Sequence, residues 1–146
     1  MADFRHFLSA QQGIYERACS ELQAGRKTSH WMWFIFPQIA GLGRSDMARR
    51  YALASVDEAR DYAAHDVLGA RLRHCTALAC QVEGSSVKAI FGDPDDLKFR
   101  SCMTLFDLAQ PHGIFADALA RYFAGAGDAA TLRLIAQQTP GAFTRG

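Results

Sequence analysis

The sequence predicts an all-α fold: a single compact helical domain of about seven to eight helices, several of them short, around an aromatic-rich core. Three observations carry that expectation. Val, Ile and Thr are sparse, and Ala, Leu, Arg, Glu and Gln dominate; most of these lose little conformational freedom in a helix. No segment shows clean period-two alternation, the mark of a half-buried strand. Ten phenylalanines stand among 49% hydrophobic residues in a chain of 146. At that length roughly 70% of the unfolded chain's surface is buried on folding, so one core is affordable.

Taken in order, a first helical region is expected over residues 3–24. Phe4, Phe7 and Leu8 pack early, and Ile14, Ala18 and Leu22 follow at helical spacing. Gly13 is placed to interrupt it and Gly25 to cap it. Ser29 can cap a short helix over 30–36, which Pro37 follows. Gly41-Leu42-Gly43 reads as a loop, and Ser45 as the cap of a helix reaching Ala54. Ser55 with Glu58 three residues later is a capping box for the next helix. That helix should break near His65-Asp66, with Asp66 capping a longer one to about Val82. Ser86 starts a short helix over 87–91, ended by Gly92. Asp93-Pro94-Asp95 opens a helix to Ala109, with proline early, where its missing N–H costs nothing. After the turn Pro111-His112-Gly113, helices over 114–123 and 129–138 finish the chain, and 139–146 reads as a frayed tail. No linker, repeat or low-complexity tract divides residues 1–146, so one domain is expected.

Sixteen Lys and Arg against fifteen Asp and Glu leave a net charge of +1. That balance argues against a large phosphate-tracking surface and hence against nucleic acid as the partner. No apolar run approaches the ~20 residues that span a bilayer, so no membrane association is expected. The N-terminal residues Met1-Ala2-Asp3-Phe4-Arg5 carry an acid and lack the apolar stretch of a secretory signal. The four cysteines, Cys19, Cys75, Cys80 and Cys102, form no C-x-x-C pair. The expectation is a cytoplasmic protein with reduced thiols and no cofactor.

Chemistry concentrates in two segments. Residues 25–38 hold both tryptophans, Trp31 and Trp33, in an unbroken run of large side chains from Trp31 to Phe36. A helix apolar all round belongs in the interior. The basic pair Arg26-Lys27 precedes it, either solvated or framing a pocket mouth. His30 shares a helical face with Phe34 and so points at the core edge unless the loop turns it out. It is either a buried structural histidine or a ligand contact, and it is the one candidate for acid–base chemistry. Gln38 offers a polar edge.

On the helix over 95–109, 100° steps give a wide apolar arc. Leu97, Leu105 and Leu108 lie on one flank, and Phe99, Cys102, Met103, Phe106 and Ala109 on the other. Asp96, Arg100 and Asp107 fall on the opposite, solvated side. Lys98 sits inside the apolar arc, with Ser101 one turn on and Thr104 at the margin. An unpaired buried ammonium is too costly to keep. Lys98 therefore snorkels to water, pairs with a buried acid, or faces a polar pocket that holds an anion.

Other motifs are weak. There is no phosphate-binding G-x-x-x-x-G-K-[ST] loop, no G-x-G-x-x-G after a strand and no G-x-S-x-G elbow. Gly41-Leu42-Gly43-Arg44-Ser45 precedes a helix start and reads as a turn before it reads as an anion site. His74-Cys75 with Cys80 lacks metal-ligand spacing, so no metal is expected.

The chain also resembles an uncharacterised bacterial family of unknown function, sometimes mislabelled calpastatin. The resemblance rests on residues 29–38, Gly41-Leu42-Gly43, Tyr51-Ala52, Glu58-Ala59, Val67-Leu68-Gly69, Phe91-Gly92, Lys98 and Met103-Thr104-Leu105-Phe106. It implies an all-α single domain and supplies no activity, substrate or catalytic residue. The chain departs from it at Asp66, where the family usually has proline. It departs again at Cys102, where the family usually has a second serine after Ser101.

Two functions from different classes follow. One is a pocket for a small anionic or nucleotide-like ligand, formed by His30, Trp31, Trp33, Gln38, Lys98, Ser101 and Thr104, with or without catalysis. The other is a non-enzymatic interaction module or homodimeric helical domain, in which surplus aromatics form an exposed patch.

Overall fold

In the computed structural model, which describes residues 2–138, the chain runs through ten α-helices. In order they are α1 (Arg5–Gln11), α2 (Tyr15–Gln23), α3 (Met32–Ile35), α4 (Asp46–Arg50), α5 (Val56–Ala64), α6 (Leu68–Gln81), α7 (Val87–Phe91), α8 (Asp95–Ala109), α9 (Ile114–Phe123) and α10 (Ala129–Gln138). There is no strand among the described residues, and the expected frayed tail lies outside them. The count exceeds seven to eight, and one of the additional helices arises because the first helical region divides at Gly13, whose φ of +74° no right-handed helix accommodates.

The serine caps at the starts of α4, α5 and α7 form as the sequence predicts. Ser45, Ser55 and Ser86 each accept, at 3.1 Å, the N–H of the residue three positions on. Two predicted caps do not form. At α6 the ring nitrogen Nδ1 of His65, not Asp66, accepts the N–H groups of Val67 and Leu68 at 3.1 and 3.2 Å. At α3 the hydroxyl of Ser29 is taken by Glu21, so the helix shrinks from the expected 30–36 to four residues.

α8 forms the centre of the fold and packs on α5, α7, α9 and α10. Phe99, Cys102, Met103, Leu105 and Phe106 are fully buried. Phe99 meets Phe91 at 4.5 Å and Phe36 at 5.2 Å between ring centroids, which ties α7 and the end of α3 to it. The buried arc is shifted from the predicted one. Leu97 is 53% exposed and Leu108 is also exposed, while Thr104, expected at the margin, is buried, as is Ser101, expected inside. Both hydroxyls are satisfied within the helix, by the Leu97 and Arg100 carbonyls, so their burial is inexpensive. Asp96, expected in solvent, has Oδ1 buried without a hydrogen bond among the described residues.

One excursion positions the site. Ile39 and Leu53 form an isolated parallel bridge. The Leu53 N–H donates to the Gln38 carbonyl at 2.9 Å, and the Ala40 N–H to the Leu53 carbonyl at 2.8 Å. The segment between them, α4 included, is thereby closed into a compact loop that carries Gly43, Ala48 and Tyr51.

Candidate functional site

The site is built outward from Glu21. α2 ends in a Schellman motif: the Gly25 N–H donates to Leu22 O and the Arg26 N–H to Glu21 O, both at 3.0 Å, with Gly25 at φ +78°. This turn sends the chain back across the Glu21 side chain. The carboxylate accepts from Ser29 Oγ at 2.6 Å, Thr28 N at 2.7 Å, Trp31 Nε1 at 2.9 Å and Ser29 N at 3.0 Å. Burial pushes this carboxyl up, but the four donors outweigh it and hold it at about 2.

The same loop delivers Lys27. Its N–H donates to Ile90 O at 2.7 Å. Its ammonium lies 2.8 Å from Asp95 Oδ2, also donates to the Ser29 carbonyl, and stands 5.1 Å from the Trp31 ring centroid. The Lys27 side chain is only 7% exposed. The other oxygen of Asp95 meets the Lys98 ammonium at 3.3 Å, and Lys98 in turn stands 4.8 Å over the Trp33 ring. Two lysines thus share one carboxylate, and each is covered by one of the two tryptophans.

Beyond Lys98 opens a cavity of about 40 Å³, lined by Trp33, Gln38, Tyr51 and Lys98 among others, with Gly43 and Ala48 in its wall. A Cβ on Gly43 would come within 2.5 Å of the Ala48 Cβ, so the Gly-Leu-Gly turn lies close against α4. Tyr51 is held from outside by His6, stacked at 5.7 Å, and by the Arg50 guanidinium, 5.7 Å from its ring. No hydrogen bond among the described residues engages the Gln38 carboxamide or the Tyr51 hydroxyl. At about 10–15 Å³ for each water centre, the cavity has room for a few waters or one compact ionic group, and none for a nucleobase.

Of the residues singled out from sequence, Trp33, Gln38 and Lys98 come together here. Trp31 is fully buried in the core and does not line the cavity. His30 is exposed, because α3 begins at Met32 and the loop turns the imidazole out. Ser101 donates to Leu97 O, while Thr104 donates to Arg100 O and accepts the Asp128 N–H at 2.8 Å; neither lines the cavity. Arg26 and Lys27 differ: Arg26 is exposed and the Lys27 side chain is nearly covered, though both border an open groove with Ser85 and Lys88. Asp95, Glu21 and Tyr51 were not singled out. Asp95 was within reach, since it stands one turn before Lys98. Glu21 had no signal, because its donors come from a loop whose path depends on the Gly25 turn.

The thiols take no part. Burial pushes Cys75, Cys80 and Cys102 up, which keeps them protonated. Among the described residues no three His, Cys, Asp or Glu gather as a metal ion would require. None of their helices is long and apolar enough to cross a membrane.

The model of a protein family of unknown function (DUF1810) matches residues 1–135. The chain belongs to this family. Its fold is shared by a solved relative, the conserved hypothetical protein Rv1873 from Mycobacterium tuberculosis, whose crystal structure was determined at 1.38 Å. The two are 49% identical with a TM-score of 0.90, over 92% of this chain and 96% of that one. Among curated proteins nothing matches. The family is described as one of unknown function and the relative as a conserved hypothetical protein, so function rests on the chemistry of the site.

Proposed function

We propose that this protein binds a small anionic ligand in the cavity beside Trp33, with Lys98 holding the negative charge. One observation carries the reading: Trp33, Gln38 and Lys98, from three separate segments, line the same small cavity. The Trp33 ring supplies an apolar wall, and the Gln38 carboxamide and Tyr51 hydroxyl supply orienting hydrogen bonds. The polar side chains among the residues lining the cavity are those of Gln38, Tyr51 and Lys98, and the reading is of a binding site. The size of the cavity favours a compact anionic head group, with any larger part of the ligand left outside.

A thermal-shift screen against sugar phosphates, nucleotides and small carboxylates tests it, with Lys98→Met alongside. A ligand bound only by the native state raises its midpoint by mass action. The expected result is a ligand that raises the wild-type midpoint and leaves that of Lys98→Met unchanged. Equal shifts in both proteins would remove Lys98 from the site.

A second reading, a protein-interaction surface or homodimer, is favoured by Leu97, Leu108 and Leu132, all exposed on α8 and α10. Light scattering that finds a monomer at high concentration would count against the dimer.

A further inference from the structure

We infer that Asp95 is a built-in competitor for the ligand of this site, and that the ligand able to displace it is a phosphate monoester dianion. The inference rests on the anion-binding role of Lys98 proposed above.

The two lysines on Asp95 are not equivalent. Lys27 is 2.8 Å from Oδ2, 7% exposed, and further anchored through its hydrogen bond to Ser29. Lys98 is 3.3 Å from Oδ1, 28% exposed, and lines the cavity. Lys27 is therefore the permanent partner and Lys98 the exchangeable one. An anion entering beside Trp33 draws the Lys98 ammonium away while Asp95 stays neutralised by Lys27. No buried carboxylate is left unpaired, which is the usual obstacle to such an exchange.

The exchange also selects the ligand. A monocarboxylate replaces one carboxylate–ammonium contact with another and gains little. A phosphate monoester near neutral pH carries close to two charges and three acceptor oxygens. Those oxygens suit the three donor-bearing residues that line the cavity, Lys98, Gln38 and Tyr51. The phosphoryl group fits a cavity of about 40 Å³, and the rest of the monoester remains outside.

The test is calorimetric titration of inorganic phosphate and of acetate, at about pH 8 and low ionic strength, where phosphate is a dianion. Four proteins are compared: wild type, Asp95→Asn, the double variant Lys27→Met/Asp95→Asn, and Lys98→Met. Wild type should bind phosphate more tightly than acetate, and Lys98→Met should bind neither. Asp95→Asn should bind phosphate more tightly than wild type, by roughly three- to fivefold, the value of one partly exposed ion pair. A merely structural Asp95 would give a loss. Should Asp95→Asn fail to fold because Lys27 is left buried and unpaired, the double variant removes the pair as a unit and should show the same gain. Phosphate affinity equal to or below wild type in the folded variant overturns the role of Asp95 and leaves the anion site standing. Acetate as tight as phosphate in wild type overturns the ligand class. No binding of either anion to any of the four overturns both the inference and the site beneath it.

Discussion

Lys27 and Asp95 form a largely covered ion pair of 2.8 Å between the loop that follows α2 and the first turn of α8. It connects the start of the chain to the central helix and carries the second cation, Lys98, on its other oxygen. The two ends of the pair should not be equally sensitive. Asp95→Asn leaves a nearly buried ammonium with only a carbonyl partner, and should cost about 3 kcal/mol. Lys27→Met fills the same space, and Asp95 keeps Lys98, so it should cost about 1–2 kcal/mol. Urea unfolding of the two variants and their double checks the order, and the double should lose less than the sum. Equal losses would mean that Lys27 is not effectively desolvated.

Glu21 makes stability pH-dependent. Its carboxyl is held at about 2 in the fold against an ordinary 4.5. As pH falls through 4.5 the unfolded chain takes up a proton that the native state refuses, so unfolding gains ground. The contribution is complete above 4.5 and is lost as pH falls to about 2. Glu21→Gln should lower stability at neutral pH by about 1–3 kcal/mol and flatten the dependence in that window. A Glu21→Gln protein with the wild-type acid profile would show that the four donors do not distinguish the charged carboxylate.

What was legible in the sequence was local. The serine caps at 45, 55 and 86, the α9 bounds of 114–123 and the Gly25 stop depend on residues within one turn of each other, and they match. The anomaly at Lys98 was legible because a cation in an apolar arc demands a partner. What was not legible depends on long-range placement. The expectation for His30 rests on a helix that begins at residue 30. Its true start depends on Ser29 turning to Glu21, a residue on the preceding helix. Period alone puts Leu97 in the core, but period does not say where neighbouring helices stop. Tyr51 joins the site only because the Ile39–Leu53 bridge folds its segment back.

Gly69 tests how closely α5 and α6 approach. A Cβ at this buried position would lie 2.0 Å from the Ala63 carbonyl oxygen and 2.7 Å from its carbon, both backbone atoms. Neither can yield without moving α5, so Gly69→Ala should cost about 3 kcal/mol or more. Gly13→Ala is the control. Its φ is +74° but nothing lies within 4 Å, so only backbone strain is added, about 1 kcal/mol. Thermal midpoints of the two variants should differ clearly, and equal midpoints would refute the close approach.

The two tryptophans should report different surroundings. Trp31 is fully buried with its indole N–H on Glu21, whereas Trp33 is half-buried beneath the Lys98 ammonium. In Trp31→Phe, where Trp33 alone emits, iodide should quench strongly, because the anion is drawn to the ammonium that covers the ring. In Trp33→Phe iodide should have little access. Adding Lys98→Met to the Trp31→Phe protein should weaken quenching by iodide and leave quenching by neutral acrylamide nearly unchanged. Exposure alone would change both quenchers together, so the difference isolates charge. Lys98→Met should also cost less than about 1 kcal/mol, since its bond to Asp95 is partly exposed. A large stability loss would make Lys98 a structural counter-ion, and unchanged iodide quenching would place its charge away from the ring.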